Sequence, residues 1–318
     1  MSTASVSLKG CRRRGRLGDL LLLGVTFAAS AGAVALLVGI ALEVLGSAHL
    51  AYSKFGLGFV TSRVWDPVKG HFGALDLIWG TAITSFLALL IATPLSIAIG
   101  LYLSELAPRG VRDVVGALVE MLAAVPSVIV GLWGILVLGP FVQHTLEPFL
   151  HGTLGFLPLF GGKTSIVGIL PATIVLTIMV VPIVASISRE LFLTVPAELK
   201  EGALALGMTR WEMVRGVVLP YARPGIVAAV ILGLGRAVGE AIAVTQVIGN
   251  TLGIHVSLFA TGDTLASRIA SQYQGASSKL QLSAIVYLAA ILLVITLAAN
   301  VFAQLIVRRF EFQKTGGH

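Results

Sequence analysis

The chain has 318 residues, of which 56% are hydrophobic and 12% charged, and its mean hydropathy is +0.95. Soluble domains carry charge on about a quarter of their residues, so this composition excludes an ordinary soluble domain and points to an integral membrane protein. A formal net charge of +7 would suggest nucleic acid for a soluble protein, but here the placement of the charges along the chain reads as topology. The single cysteine, Cys11, excludes an intrachain disulfide; no Cys/His cluster points to a metal site, and no spacing marks a catalytic nucleophile.

The start is basic. Lys9, Arg12, Arg13, Arg14 and Arg16 lie in a segment, 1–19, that precedes an apolar run from Leu20 to Leu45. A signal peptide has a similar front, but its apolar core is only about 7–15 residues long. This run is long enough to span the bilayer. It reads as a retained first transmembrane helix, a cleaved signal peptide being the alternative. The segment up to residue 73 then carries Tyr52, Phe55, Phe59, Trp65 and Phe72, a density of aromatics suited to a membrane–water interface and expected to form an interfacial belt.

Five more spans are expected at Ala74–Leu103, Val114–Leu138, Ser165–Ser188, Gly225–Gly249 and Leu282–Val307, making residues 74–307 one transmembrane domain with a tail over 308–318. They contain Pro94, Pro126, Pro171 and Pro182, which bilayer helices accept because neighbouring groups satisfy the freed backbone. Pro126–Ser127 is expected to kink the third span. Asn250–Gln281, rich in Ser, Thr, Gly and Gln, is expected to be an ordered connection. Fifteen of the 22 Lys and Arg lie in the N-terminal segment, Ser104–Asp113, Arg189–Pro224 and the tail, against six in the alternate connections. That asymmetry predicts cytoplasmic termini and a cytoplasmic Arg189–Pro224 loop. The fold expected is therefore all-α, with six transmembrane helices.

Within that loop the spacing is E-G-A-x3-G-x9-V-x-L-P, formed by Glu201, Gly202, Ala203, Gly207, Val217, Leu219 and Pro220. It predicts a short helix over Ala197–Ala205, a turn at Gly207 in the left-handed conformation that ends helices, and a second helix from Trp211. Leu219–Pro220 is expected to end that second helix. Glu198 and Glu201 share one face and present acid to water.

Arg236 and Glu240 sit four residues apart in the fifth expected span and so share a face. Arg236 falls roughly 16 Å into a helix starting at Gly225, near the bilayer midplane. Charge at that depth costs several kcal/mol on some scales and faces a bundle interior. Arginine's planar fork matches phosphate oxygens two at a time, and Glu240 would neutralise it when no anion is present. The other reading is a structural ion pair that fixes helix register. Glu120 is expected to pair with Arg112 or Arg109. GGKT at Gly161–Thr164 superficially matches a phosphate-binding loop, but that motif needs a glycine where Leu157 stands, so the chain is not expected to bind ATP.

The loop pattern resembles the cytoplasmic E-A-A-x3-G-x9-I-x-L-P loop of permease subunits in ATP-binding-cassette importers, with Gly202 in place of alanine and Val217 in place of isoleucine. FGLGFVTSRVWDPV (Phe55–Val68), FGALDLIWGT (Phe72–Thr81), LAAVPSVIVGLWG (Leu122–Gly134) and LGLGRAVGEAIAVTQVIGN (Leu232–Asn250) are similar to the PstC type of permease in phosphate-specific importers. The resemblance covers about Phe55 to Val307. It implies the ABC importer permease fold in a bacterial inner membrane. It implies that Glu201, Gly202, Ala203, Gly207, Leu219 and Pro220 form a coupling helix against an ATPase, and it strengthens the functional reading of Arg236 and Glu240. It also implies partners: a second, PstA-like permease subunit, two ATPase subunits that hold ATP and magnesium, and an external phosphate-binding protein. This chain itself needs no cofactor on that reading. A permease for sulfate or molybdate would share the loop but should lack GLGRAVGE. An ion channel or secondary transporter would not need the loop, and an intramembrane enzyme would need catalytic pairs that the spans lack.

Overall fold

The computed structural model describes residues 11–315, with side chains described for residues 18–305. The basic residues Lys9, Arg12, Arg13, Arg14 and Arg16 and the tail from Arg308 lie outside the described side chains. Six helices among the described residues are long and apolar enough to cross a membrane: Gly18–Ser47, Leu75–Leu106, Ser127–Leu154, Ile169–Leu193, Arg210–Gly239 and Lys279–Leu305. The architecture is helical throughout, as the composition predicts, and no strand occurs among the described residues.

Two spans differ from expectation at both ends: the third runs Ser127–Leu154 instead of Val114–Leu138, and the fifth Arg210–Gly239 instead of Gly225–Gly249. The third span does not begin at Val114. Residues Arg109–Ala123 form a separate helix, and Pro126, in extended conformation, starts a new one at Ser127. Proline carries no backbone N–H and disfavours helix in the residue before it, so Pro126 breaks the chain rather than kinking it. The separate helix sets Arg109, Arg112, Asp113 and Glu120 on one side and Val114, Leu118 and Met121 on the other, a pattern suited to lying along a membrane surface. The fifth span also starts earlier. A capping box closes its first turn: Thr209 N–H donates to Glu212 Oε2 (2.8 Å) and Glu212 N–H donates to Thr209 Oγ1 (3.3 Å). The helix then runs straight through Leu219–Pro220, which was expected to end it. The ring of Pro220 would press on the carbonyl of Gly216, but that residue lies in a π-turn, Val214–Val218, whose wider winding makes room.

The fourth span is the centre of the bundle, with 72% of its most apolar window buried. The second span lies along it, and Ser96 Oγ donates to Val181 O at 3.1 Å. The fifth approaches through Gly233, where an added Cβ would meet Val180 and Val184 at about 3 Å. The first span is the opposite case: none of its window is buried, and it joins the body only near its end. There Ser283 Oγ donates to Ser47 O (2.9 Å) and accepts from Ala51 N–H (3.1 Å).

The aromatics between the first two spans do not form a belt. Phe59, Trp65 and Phe72 are buried, and Phe59 stacks on Tyr287 of the sixth span with ring centroids 4.6 Å apart. They make a packed cap, because pairing with one another and with Tyr287 removes more apolar surface than a row along the interface would. The connection after the fifth span is ordered, as expected. Its backbone threads onto the start of the fourth span, with Ile169 N–H donating to Ala260 O (3.0 Å) and Leu170 N–H to Leu258 O (2.9 Å).

Candidate functional site

The predicted loop helix is present at Ala197–Ala205, and Gly207 follows it with φ +85°. Only glycine takes that conformation without strain, which is what the turn to the second helix requires. Ala203 is buried against the body in a cluster with Val195, Met213, Val214 and Val218. Glu198, Glu201 and Gly202 face solvent, and so does a set of large apolar side chains. Leu206 is 86% exposed and Trp211 is 66% exposed, with Leu199 and Leu204 beside them in sequence. Acid thus stands beside bare apolar surface on one short helix. Leu219 and Pro220, expected at the end of this element, lie inside the fifth span.

At the other end of that span the structure brings Arg236 and Glu240 together. Arg236 Nη2 stands 3.1 Å from Glu240 Oε2; the glutamate is buried and the arginine side chain is 44% exposed. The helix stops at Gly239, Glu240 is extended, and a short helix, Ile242–Val247, begins two residues later. The second carboxylate oxygen of Glu240 accepts from Ala243 N–H (3.3 Å) and so caps that short helix. The carboxylate is therefore held by the scaffold, and the guanidinium is the more exposed partner. The span starts at Arg210 rather than Gly225, so the expected depth of Arg236 no longer follows; it lies one turn from the helix end at Gly239, and Gly233 before it packs beside Leu89 and Val184 of the second and fourth spans.

Two cavities meet at Arg236. One, of about 660 Å³, is lined by Ile183, Leu232, Gly235, Arg236, Asn300 and Gln304; the other, of about 260 Å³, lies against Leu122, Val125, Val130 and Met179. Ile183 and Arg236 line both. Broken helices whose ends meet a charged group are how transporters build sites for polar cargo. Arginine with neutral amides around it can hold an oxyanion while leaving it free to depart.

Sequence reasoning missed several of these partners. Asn300 and Gln304, one turn apart in the last span, are legible as the polar side chains of an apolar run. Glu120 pairs with neither Arg112 nor Arg109. It stands 3.4 Å from Arg189 of the fourth span, while Arg112 donates to Ser104 O at 2.7 Å. Both follow from the surface helix folding back on the bundle, which no local spacing encodes.

Comparison with known proteins fits this architecture. The profile of the family described as "Binding-protein-dependent transport system inner membrane component" matches residues 92–312. The phosphate transport system permease protein PstC of Mesorhizobium japonicum is 44% identical over 94% of this chain and 93% of its own length. The protein of the same description from Xylella fastidiosa is 43% identical over 86% of each chain. Among solved structures, a bacterial alginate ABC transporter chain is similar in fold, with a TM-score of 0.57 at 19% identity over 95% of this chain and 97% of that one. A chain of the MetNI methionine ABC transporter gives 0.51 at 21% identity over 75% of this chain and 94% of its own. The chain belongs to the binding-protein-dependent transport system inner membrane components and, within them, is a membrane permease of a phosphate ABC importer.

Proposed function

We propose that phosphate crosses this permease beside Arg236, with Glu240 as the fixed counter-charge, and that the face around Glu201–Gly207 receives an ATPase subunit in the cytoplasm. The observation that carries the first part is the asymmetry of the pair: a buried glutamate locked as a helix cap, and an arginine open to two cavities. An arriving anion gains the guanidinium fork, while Glu240 keeps Arg236 compensated between passages and limits how tightly the anion is held. The open apolar side chains Leu206 and Trp211 support the second part. Both termini lie in the cytoplasm on this reading, as the excess of Lys and Arg on that side favours. The chain holds no nucleotide; two ATPase subunits bind ATP and magnesium. A second, PstA-like permease subunit completes the pathway, and an external binding protein delivers phosphate. Closure of the ATPases moves the loop helix and turns the pathway toward the external face.

The test is transport by the whole complex in proteoliposomes. Arg236→Gln alone should cut phosphate uptake about 100-fold, within the range for removing one member of a buried charge pair. The double variant Arg236→Gln, Glu240→Gln restores charge balance but not the anion contact, so it should stay slow. Uptake at the normal rate by the double variant would make the pair purely structural. Phosphate, and neither sulfate nor molybdate, should stimulate ATP hydrolysis.

A further inference from the structure

The loop helix is joined to the membrane body by an ion pair that none of the roles above uses. Lys200 Nζ stands 2.6 Å from Glu105 Oε1 and donates a second hydrogen bond to Phe192 O at 3.0 Å. Both side chains are largely buried, 18% exposed for Lys200 and 11% for Glu105. The other ion pairs on this face differ. Those of Arg189 use carboxylates, Glu120 and Glu190, that are more than half exposed. Exposed pairs contribute little, whereas a pair withdrawn from water holds its geometry because breaking it strands a charge.

The location of Glu105 matters as much. It lies in a π-turn, Tyr102–Leu106, that ends the second span. Arg112 of the surface helix donates to Ser104 O in the same turn, which fixes it from the other side. π-turns insert an extra residue and so re-aim a side chain at a helix end. From Glu105 the second span leads back past Pro94, which sits inside the helix, to Leu89, whose side chain lies at Gly233 of the fifth span, one turn before Arg236. One ammonium thus ties the loop helix to the ends of the second and fourth spans, and the second span leads from there to the packing at Gly233, one turn short of Arg236.

We infer that Glu105 and Lys200 form a strut that carries motion of the loop helix into the second span, and so are positioning residues for transport. Neither touches phosphate, and their burial keeps them out of the docking face formed by Glu201, Leu206 and Trp211. The inference rests on the loop helix being the ATPase contact, so the experiment separates the two. The complete complex is purified and reconstituted with Glu105→Gln, with Lys200→Met, and with the exchange Glu105→Lys, Lys200→Glu. Three quantities are read: retention of the ATPase subunits, ATP hydrolysis stimulated by phosphate-loaded binding protein, and phosphate imported per ATP. Each single variant should keep its ATPase subunits and hydrolyse ATP, yet import about tenfold less phosphate per ATP, a common size for coupling between sites. The exchange should recover most of that loss. Import per ATP within about twofold of the unchanged protein in both single variants, inside the usual scatter of surface changes, would overturn the strut. So would loss of the ATPase subunits from either, which would make the pair part of the docking surface. So too would failure of the exchange while its unfolding temperature matches the unchanged protein. Glu201→Lys is measured alongside: if it retains the ATPase subunits, the reading of the loop fails, independently of the strut.

Discussion

At one end of the bundle, Leu258 and Ala260 accept backbone hydrogen bonds from the start of the fourth span, Gly262 bonds Ile248 and Thr251 just past the short helix, and Phe59, Trp65 and Phe72 are packed away from solvent. At the other end, helices are joined by side chains: Lys200 to Glu105, Arg189 to Glu120, Arg112 to the carbonyl of Ser104. Apolar groups as large as Leu206 and Trp211 stand open there. Backbone ladders and aromatic contacts fix one geometry. The exposed Glu120 can pivot and re-form its pair, the withdrawn Lys200 and Glu105 hold theirs, and bare apolar surface stands beside them. The contrast separates a cap closed by backbone and aromatic contacts from an end joined by side chains and open to solvent.

The closed end contains the sharpest test of the contrast. Asp263 and Arg268 form an ion pair at 2.6 Å with side chains 1% and 7% exposed, and the guanidinium also lies over the ring of Trp65. A Cβ at Gly80 would collide with Asp263 O, so the second span is seated directly on this segment. Asp263→Ala strands the arginine and should destabilise the protein by about 3–5 kcal/mol, read as thermal unfolding in detergent. The double variant Asp263→Leu, Arg268→Met should recover most of that, because a packed apolar pair replaces a buried ionic one at little cost.

Trp211→Ser at the open end should do the reverse. Its fold stability should change by less than about 0.5 kcal/mol, as for other exposed positions, while retention of ATPase subunits on purification falls severalfold. If it unfolds as easily as Asp263→Ala, the two ends are alike and the contrast fails. The smallest effect belongs to the loop helix itself. A Cβ at Gly202 meets nothing within 4 Å, so Gly202→Ala should stabilise the helix by up to about 1 kcal/mol. Gly207→Ala, at φ +85°, should cost about 1 kcal/mol or more. Circular dichroism of thermal unfolding distinguishes the two signs.

What the sequence discloses follows the range of the forces involved. Four of the six apolar runs, the loop helix and the Gly207 turn are local, and they stand within a few residues of where spacing predicts. The depth expected for Arg236 does not carry over, because it rests on a start at Gly225 and the helix begins fifteen residues earlier and ends at Gly239. The failures lie where a proline had to be judged without its surroundings. Pro126 breaks a helix and Pro220 does not, and the difference is a π-turn just upstream of the second. Ion partners were equally hidden: Glu120 and Arg189 are 69 residues apart in sequence. Nothing in Arg109–Ala123 says which distant helix it will lie against. The break at Glu240 could have been suspected from Gly239 before it, but a single glycine is common in such spans.

The length of the first helix has a mechanical consequence. Its apolar part, Gly18–Ser47, has 30 residues and extends about 45 Å at 1.5 Å per residue. The hydrocarbon core of a bilayer is only roughly 30 Å thick. An upright helix would leave apolar side chains standing in water, so this one must lean, or thicken the lipid around it. It is pinned at one end, where Val44 packs on the body and Ser47 accepts from Ser283, and none of its most apolar window is buried within this chain. A thinner or thicker bilayer would swing this helix about that anchor while leaving the pathway helices where they are.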